Sequence, residues 1–328
     1  IGGFTVENGE TVPTGSIELI NMNAEPGNRV EPLVDADGNR VKLDVARGFH
    51  TASYRQEDDH IVVIGGVGGD GGAEALSSVE LVRFKDGLSA GEVGQLNSPR
   101  AQHESIVLGE DRSPIWVIGG RGGSGARKST VLVRAGPGGI EAEPLSESME
   151  MNVGRYGMGA ARVGPTQVVV CGGYTSTDGS NGAPTAKCQL GNRRRYKWSQ
   201  TCSMAAPRGG IDLVALTQSR DLTVLGGRDG SGETVDTPTR IEYRSGQSPP
   251  YVAKGRSATM QRSRYGASVT HLPSGLILMT GGIGQVRNRK ASLQNMEYYN
   301  PLDIVRARGL ESTDNSSSGA DNPNDSGG

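Results

Sequence analysis

The side chains with the most specific chemistry in this chain are three cysteines, four histidines and a series of arginines that recur at near-constant spacing. Cys188 and Cys202 flank "GNRRRYKW", a turn-forming stretch between two extended runs. They are therefore expected to face one another across an antiparallel pair and form a disulfide, stabilising by about 2–4 kcal/mol through the short loop it closes. Three reduced core thiols are the alternative. Cys171, inside the apolar run "VVVC", reads as an inert buried residue rather than a nucleophile. His50 and His103 each stand three residues after a recurrent arginine, Arg47 and Arg100, and such regular placement argues for a structural role. His60 and His271 have no such pattern. Gly-x-Ser-x-Gly, His-Glu-x-x-His and paired Cys-x-x-Cys motifs are absent, so no catalytic, metal or cofactor residue is assigned. "DADGN" places Asp35, Asp37 and Asn39 as in part of a calcium loop, but without the downstream Glu; an Asp-Gly hairpin turn accounts for it better.

The arginines carry the remaining chemistry. Arg47, Arg100, Arg155, Arg208 and Arg264 each precede a small-and-apolar run and are expected at one end of the molecule. There they are expected to bridge neighbouring repeat units through carboxylates and backbone carbonyls. Arg121, Arg127, Lys128, Arg228, Arg287, Arg289 and Lys290 sit in Gly-rich loops of that same end. These are the candidate contacts for an acidic partner, either a protein segment or an anionic glycan, with solvated surface charge as the alternative. "RRRYK", Arg193 to Lys197, is a basic turn on the opposite face, best read as solvated.

What positions these residues is a repeat. Gly-Gly occurs at Gly2, Gly65-Gly66, Gly119-Gly120, Gly172-Gly173, Gly226-Gly227 and Gly281-Gly282; the intervals are 63, 54, 53, 54 and 55 residues. A period of this size marks a repeat architecture built from one supersecondary unit. Each unit runs in the order arginine, short apolar strand, turn, apolar strand ending in Gly-Gly, Gly-rich loop, an alternating stretch such as "SVELVRF" or "TRIEYRS", and a weaker last strand. Helical periodicity is missing throughout. The expected fold is all-β: a six-bladed β-propeller over residues 1–310 with four antiparallel strands per blade. Gly-Gly belongs where the chain turns sharply against neighbouring backbone; "GGVGGDGG" is no phosphate loop, because no helix and no Lys-Ser/Thr follow it.

The order Arg, apolar strand, strand with Gly-Gly, "Ile241-Glu242-Tyr243" or "Met296-Glu297-Tyr298", and "Trp198 … Met204 … Arg208" resembles the kelch repeat across roughly residues 1–308. Trp takes the outer-strand position only once, and the fourth unit has "KCQLG" in place of Val-Glu-x-Tyr. The resemblance implies a kelch-type propeller. That family includes copper oxidases whose site needs two histidines, tyrosines and a cysteine cross-linked to one of them. The chain starts at the Gly-Gly end of a second strand, so blade one is expected to be incomplete, open to strand complementation by a partner, or part of a longer product.

Residues 311–328 contain Glu311, Asp314, Asp321 and Asp325, no basic residue and nothing apolar larger than Ala320, which predicts a flexible tail or linker. The rest carries 32 acidic against 34 basic residues, so no general attraction to nucleic acid is expected. No apolar stretch of about 18 residues exists to span a membrane. With the expected disulfide the compartment is extracellular, periplasmic or cell-surface. The function expected is a non-enzymatic interaction or scaffold module that binds a protein or polymer through the Gly-rich loop face. The alternative is a carbohydrate-active enzyme or lectin with acid or base groups meeting on the axis, and a cytoplasmic adaptor is disfavoured by the disulfide.

Overall fold

The computed structural model describes residues 1–300 apart from 9, 22, 26–29, 57, 70–73, 85–87, 110–113, 124, 137–138, 177–181, 196, 216–219, 257–259, 273, 287–288 and 294. The tail expected at 311–328 lies outside the described residues, as does Arg308. All sheets are small and antiparallel, and the described non-strand elements include two 3-10 turns, Glu147–Met149 and Arg193–Arg195.

Four consecutive units form four-stranded sheets. The second joins Thr51–Arg55, His60–Ile64, Ser78–Arg83 and Ser89–Gln95; the third joins Glu104–Val107, Ile115–Ile118, Thr130–Gly136 and Gly139–Pro144. The fourth joins Gly159–Gly164, Gln167–Cys171, Lys187–Asn192 and Lys197–Ser203, and the fifth Gly209–Ala215, Leu222–Arg228, Thr239–Tyr243 and Tyr251–Arg256. Four strands per unit is thus realised in these four. The sixth unit is divided into two three-stranded sheets, one of them Ser268–His271, Ile277–Thr280 and Met296–Tyr299. In the first unit two-stranded pairs stand instead, Phe4–Glu7 with Glu10–Pro13 and Glu18–Ile20 with Val30–Pro32. "DADGN" forms the expected hairpin: Asp35 N donates to Asn39 O at 2.9 Å, and the Asp35 carboxylate accepts from the backbone of Asp37 and Asn39 at 3.0 and 2.8 Å. Its acid is spent on its own turn.

Continuous apolar runs in the second strands follow from burial on both faces, because side chains alternate sides along a strand. Val62 and Ile64 pack with Ile115 and Val117 of the third unit, while Val63 packs with Ile17, Val41 and Leu43 of the first. Trp116 and Ile118 meet Val168 and Val170; Val169 and Cys171 meet Leu222 and Val224; Leu225 meets Ile277 and Met279. Each sheet therefore lies face to face with the next in sequence.

A chain of backbone hydrogen bonds links the starts of the first strands. Gln102 N donates to Phe49 O (2.9 Å), Gly157 N to Gln102 O (2.8 Å), Gly210 N to Gly157 O (2.6 Å) and Gly266 N to Gly210 O (3.1 Å). All five residues stand two after a recurrent arginine and have φ between 53° and 65°.

The Gly65-Gly66 pair shows what the repeated doublet does. Its φ values are 58° and 103°; Gly66 N donates to Arg100 O at 2.9 Å, and a Cβ on Gly65 would lie 2.5 Å from that same carbonyl. Only a residue without a Cβ lets two units approach this closely. Gly120 N to Arg155 O and Gly173 N to Arg208 O repeat the contact at 2.9 and 3.0 Å.

Candidate partner-binding face

The recurrent arginines are 0 to 4 % exposed, and each guanidinium ties its own unit together. Arg47 Nη1 donates to Gly65 O (2.8 Å) and Ser78 O (3.1 Å), and Nη2 to Ser78 Oγ (2.9 Å) and the buried Glu80 carboxylate. Arg155 reaches Gly172 O (3.0 Å), Lys187 O (2.9 Å) and Gln189 Oε1 (3.4 Å) in the same way. Arg208 reaches Thr237 O (3.0 Å) and Thr239 Oγ1 (2.9 Å). Arg264 pairs with Glu297 (3.2 Å), and Arg100 donates to Gly119 O (3.1 Å). Burial lowers the Arg100 and Arg155 guanidinium groups to about 10, so both stay charged at neutral pH. The expected bridging of neighbouring units by these guanidinium groups is thereby corrected: each clamps its own unit, and it is the backbone carbonyls of Arg100, Arg155 and Arg208 that accept from the preceding unit. His50 and His103 fill equivalent gaps, since Cβ atoms on Gly66 and Gly120 would meet their side chains at 2.9 and 2.7 Å.

The cysteine pairing differs from the expectation. The disulfide joins Cys171 to Cys188, Cα atoms 4.1 Å apart, and Cys202 is a free, half-buried thiol. Cys188 does face Cys202 across the third and fourth strands, but that pairing borders a bulge between Cys188 and Gln189, whereas Cys171 and Cys188 form a regular antiparallel pair. Cys171 is thus a structural bridge, closing a separation of 17 residues worth about 3 kcal/mol.

On the Gly-Gly loop end the structure gathers some of the candidate cations around tyrosines. Arg121, in the short hairpin Arg121–Gly122 with Gly125–Ala126, lies 5.6 Å over the Tyr156 ring. Tyr156 and Tyr174 are paired by a backbone bridge, their rings 5.4 Å apart. Arg228 lies 4.8 Å over Tyr265, anchored by its Nε donating to Gly232 O at 3.1 Å. Burial raises the Tyr174 hydroxyl, with the nearby Arg228 charge opposing it. Gly209 and Gly210 leave the room that the Tyr174 and Tyr265 rings occupy. The result is one Arg–Tyr–Tyr–Arg–Tyr array contributed by units three to six. Among the described residues none of Arg121, Arg127, Lys128 or Arg228 forms an ion pair.

The other candidates fall elsewhere. Arg127 is half-buried against Gly122, and its guanidinium is lowered by burial. Lys128 is exposed at the entry to Thr130–Gly136. Arg289 and Lys290 stand on Arg289–Ser292, paired with Ile283–Val286, and Arg287 lies outside the described residues. "RRRYK" forms the 3-10 turn Arg193–Arg195 between the last two strands of the fourth unit, as expected of a solvated turn.

Sequence reasoning missed the tyrosines and one acidic pair. Tyr156 and Tyr265 directly follow Arg155 and Arg264, and Tyr174 directly follows Gly172-Gly173. Glu104 and Asp212 both stand four residues after a recurrent arginine, on first strands of units three and five. Burial pushes Asp212 up to about 7; it also raises Glu104 well above the usual carboxylate range, and the Asp212 charge adds to that. Beside Glu104, His103 Nε2 is 2.9 Å from Thr51 Oγ1, which is 2.5 Å from Ser105 Oγ. Aligning the repeats on their arginines would have picked out Tyr156, Tyr265, Glu104 and Asp212, and aligning them on Gly-Gly would have picked out Tyr174. Among the described residues no helix is long and apolar enough to cross a membrane. No protein-family model matches the chain, and no curated protein sequence does either.

Proposed function

We propose that this protein is a kelch-like six-bladed β-propeller acting as a non-enzymatic, extracytoplasmic interaction module, with the Gly-Gly loop end as its contact surface. Support for the ring comes from the face-to-face packing of successive sheets and from the hydrogen-bonded chain through Phe49, Gln102, Gly157, Gly210 and Gly266. The disulfide supports an oxidising compartment. A blade completed by a partner's strand is part of the same proposal, supported by the two-stranded pairs of the first unit where the second to fifth units have four strands.

One observation carries the binding role: Arg121 and Arg228 are held over tyrosine rings with no carboxylate partner among the described residues. Rings present flat apolar faces, and the guanidinium groups present paired donors that fit carboxylate or sulfate. The partner that fits is an acidic glycan or acidic protein segment. Calorimetric titration with a polyuronate oligosaccharide, a sulfated oligosaccharide and a poly-glutamate peptide tests it. Binding to at least one, weakened by salt and by about tenfold or more in Arg121→Ala/Arg228→Ala, is the expected result. Wild-type protein that ignores all three probes refutes the reading.

The enzyme or lectin reading keeps one observation in its favour: burial raises both the Glu104 and the Asp212 carboxyls on first strands, and the Asp212 charge adds to the rise at Glu104. A group near 7 suits general acid–base work. Hydrolysis or epimerisation of a sugar that Asp212→Asn abolishes, with the fold intact, would establish it over the binding module.

A further inference from the structure

The fourth unit sets three cysteines in a row across adjacent strands. Cys171 on Gln167–Cys171 is the register partner of Cys188 on Lys187–Asn192, and Cys188 is in turn the partner of Cys202 on Lys197–Ser203. Cross-strand partners project to one face, and the three sulfur atoms lie within 4.8 Å of one another. Cys188 is the middle member, so its sulfur is bonded to Cys171 and lies within 4.8 Å of the Cys202 sulfur as well. Thiol–disulfide exchange needs a thiol that can reach a disulfide sulfur, and this spacing leaves Cys202 only a side-chain rotation from Cys188.

We propose that Cys188 is a shared disulfide partner, bonded alternately to Cys171 and to Cys202, so that the protein carries one bridge and one free thiol that changes place. In the step, the Cys202 thiolate attacks Cys188 Sγ. The Cys188–Cys202 bond forms as the Cys171–Cys188 bond breaks, and Cys171 leaves as the thiolate that takes up the proton given by Cys202. No oxidant or reductant is consumed. The chemical consequence is accessibility: the free thiol is half-buried Cys202 in one isomer and fully buried Cys171 in the other. Exchange thus withdraws the only thiol that an external disulfide or metal reagent reaches in this unit. Burial pushes the Cys202 thiol up to about 12, which keeps the exchange slow at neutral pH and faster in mild alkali. The apolar cluster around the trio contributes the phenols of Tyr243 and Tyr251 as titratable neighbours, with Asp221 and Arg220 beside Tyr251.

Trypsin separates the trio, because cleavage after Arg162, Lys187, Arg193, Lys197 and Arg208 puts each cysteine on its own peptide. Full-length protein is held at mildly alkaline pH without added thiol, quenched in acid with a maleimide, digested and read by mass spectrometry. Both linkages are expected, peptide 163–187 with 188–193 and 188–193 with 198–208, within about tenfold of each other, which corresponds to about 1.4 kcal/mol. Cys171→Ser should give the second linkage and Cys202→Ser the first alone. Finding only the first linkage in the wild type at every time point, or three free thiols, overturns the proposal. If Cys171→Ser does not fold, the wild-type linkage ratio decides by itself.

Discussion

Replacing Arg47 by methionine separates a buried ion pair from a buried hydrogen-bond clamp. Arg47 and Glu80 both have fully buried side chains, and the Glu80 carboxylate also accepts from Asp44 N at 2.7 Å and Val45 N at 3.1 Å. Methionine keeps most of the packing volume but removes the donors to Gly65 O, Ser78 O and Ser78 Oγ, leaving a carboxylate in the interior held by two N–H groups. Orphaning one partner of a buried pair costs about 3–5 kcal/mol. In a domain of this size the midpoint should fall by roughly 6–15 °C. Adding Glu80→Gln should recover about 1 kcal/mol, because removing the buried charge outweighs the loss of one of the two bonds that Asp44 N and Val45 N make to different carboxylate oxygens. Arg155 supplies the comparison: neutral Gln189 stands where Glu80 does, so Arg155→Met loses the carbonyl bonds alone and should cost about 2–3 kcal/mol. Arg134→Met, breaking exposed pairs with Glu141 and Glu143, should stay within about 0.5 kcal/mol. Urea unfolding checked by calorimetry measures all four variants. The reasoning is refuted if Arg47→Met costs no more than Arg155→Met, or if Glu80→Gln makes Arg47→Met worse.

Further outcomes follow from the same geometry. Asp212, raised to about 7 from an ordinary value near 4, favours its protonated form in the fold; its contribution is fully present below about pH 4 and is lost as pH rises through about 7. Stability should therefore decline over that window by about 2–4 kcal/mol, and Asp212→Asn should flatten the decline; parallel wild-type and variant profiles would count against a buried acid there. Gly65→Ala, whose Cβ meets Arg100 O at 2.5 Å with φ +58°, should cost about 3 kcal/mol or more. Gly38→Ala, with φ +82° and open space, should cost only about 1 kcal/mol in the same unfolding assay, and equal costs would refute the close-approach role of the doublet.

Much of the fold was legible because its signals are local and repeated. Stretches such as "IVVIGG" and "VVVCGG" announce strands buried on both faces, and the spacing of their glycines announces equivalent sheets; the second to fifth units follow that order strand by strand. That the recurrent arginines serve structure was readable for the same reason, but the sequence reading aimed their guanidinium groups at neighbouring units, whereas they bond within their own, because the reach of a side chain across a turn is not written in spacing alone. The disulfide was only half legible. A single sequence places Cys188 opposite Cys202 but cannot say that Cys171, at the end of the preceding strand, falls into register with Cys188 as well, because register depends on how many residues each turn and bulge consumes.

What the sequence by itself determined, then, is the unit: its strand order, its glycine turns and its clamp arginine, all set by alternation, φ preference and spacing within about 50 residues. Tertiary structure alone decided which side chains of different units meet. The array of Arg121, Tyr156, Tyr174, Arg228 and Tyr265, the coupled acids Glu104 and Asp212, and the choice of Cys171 over Cys202 all join residues brought together by the stacking of sheets and strands. Distances of a few ångströms between such residues depend on the twist and register of every strand between them, which no local pattern encodes.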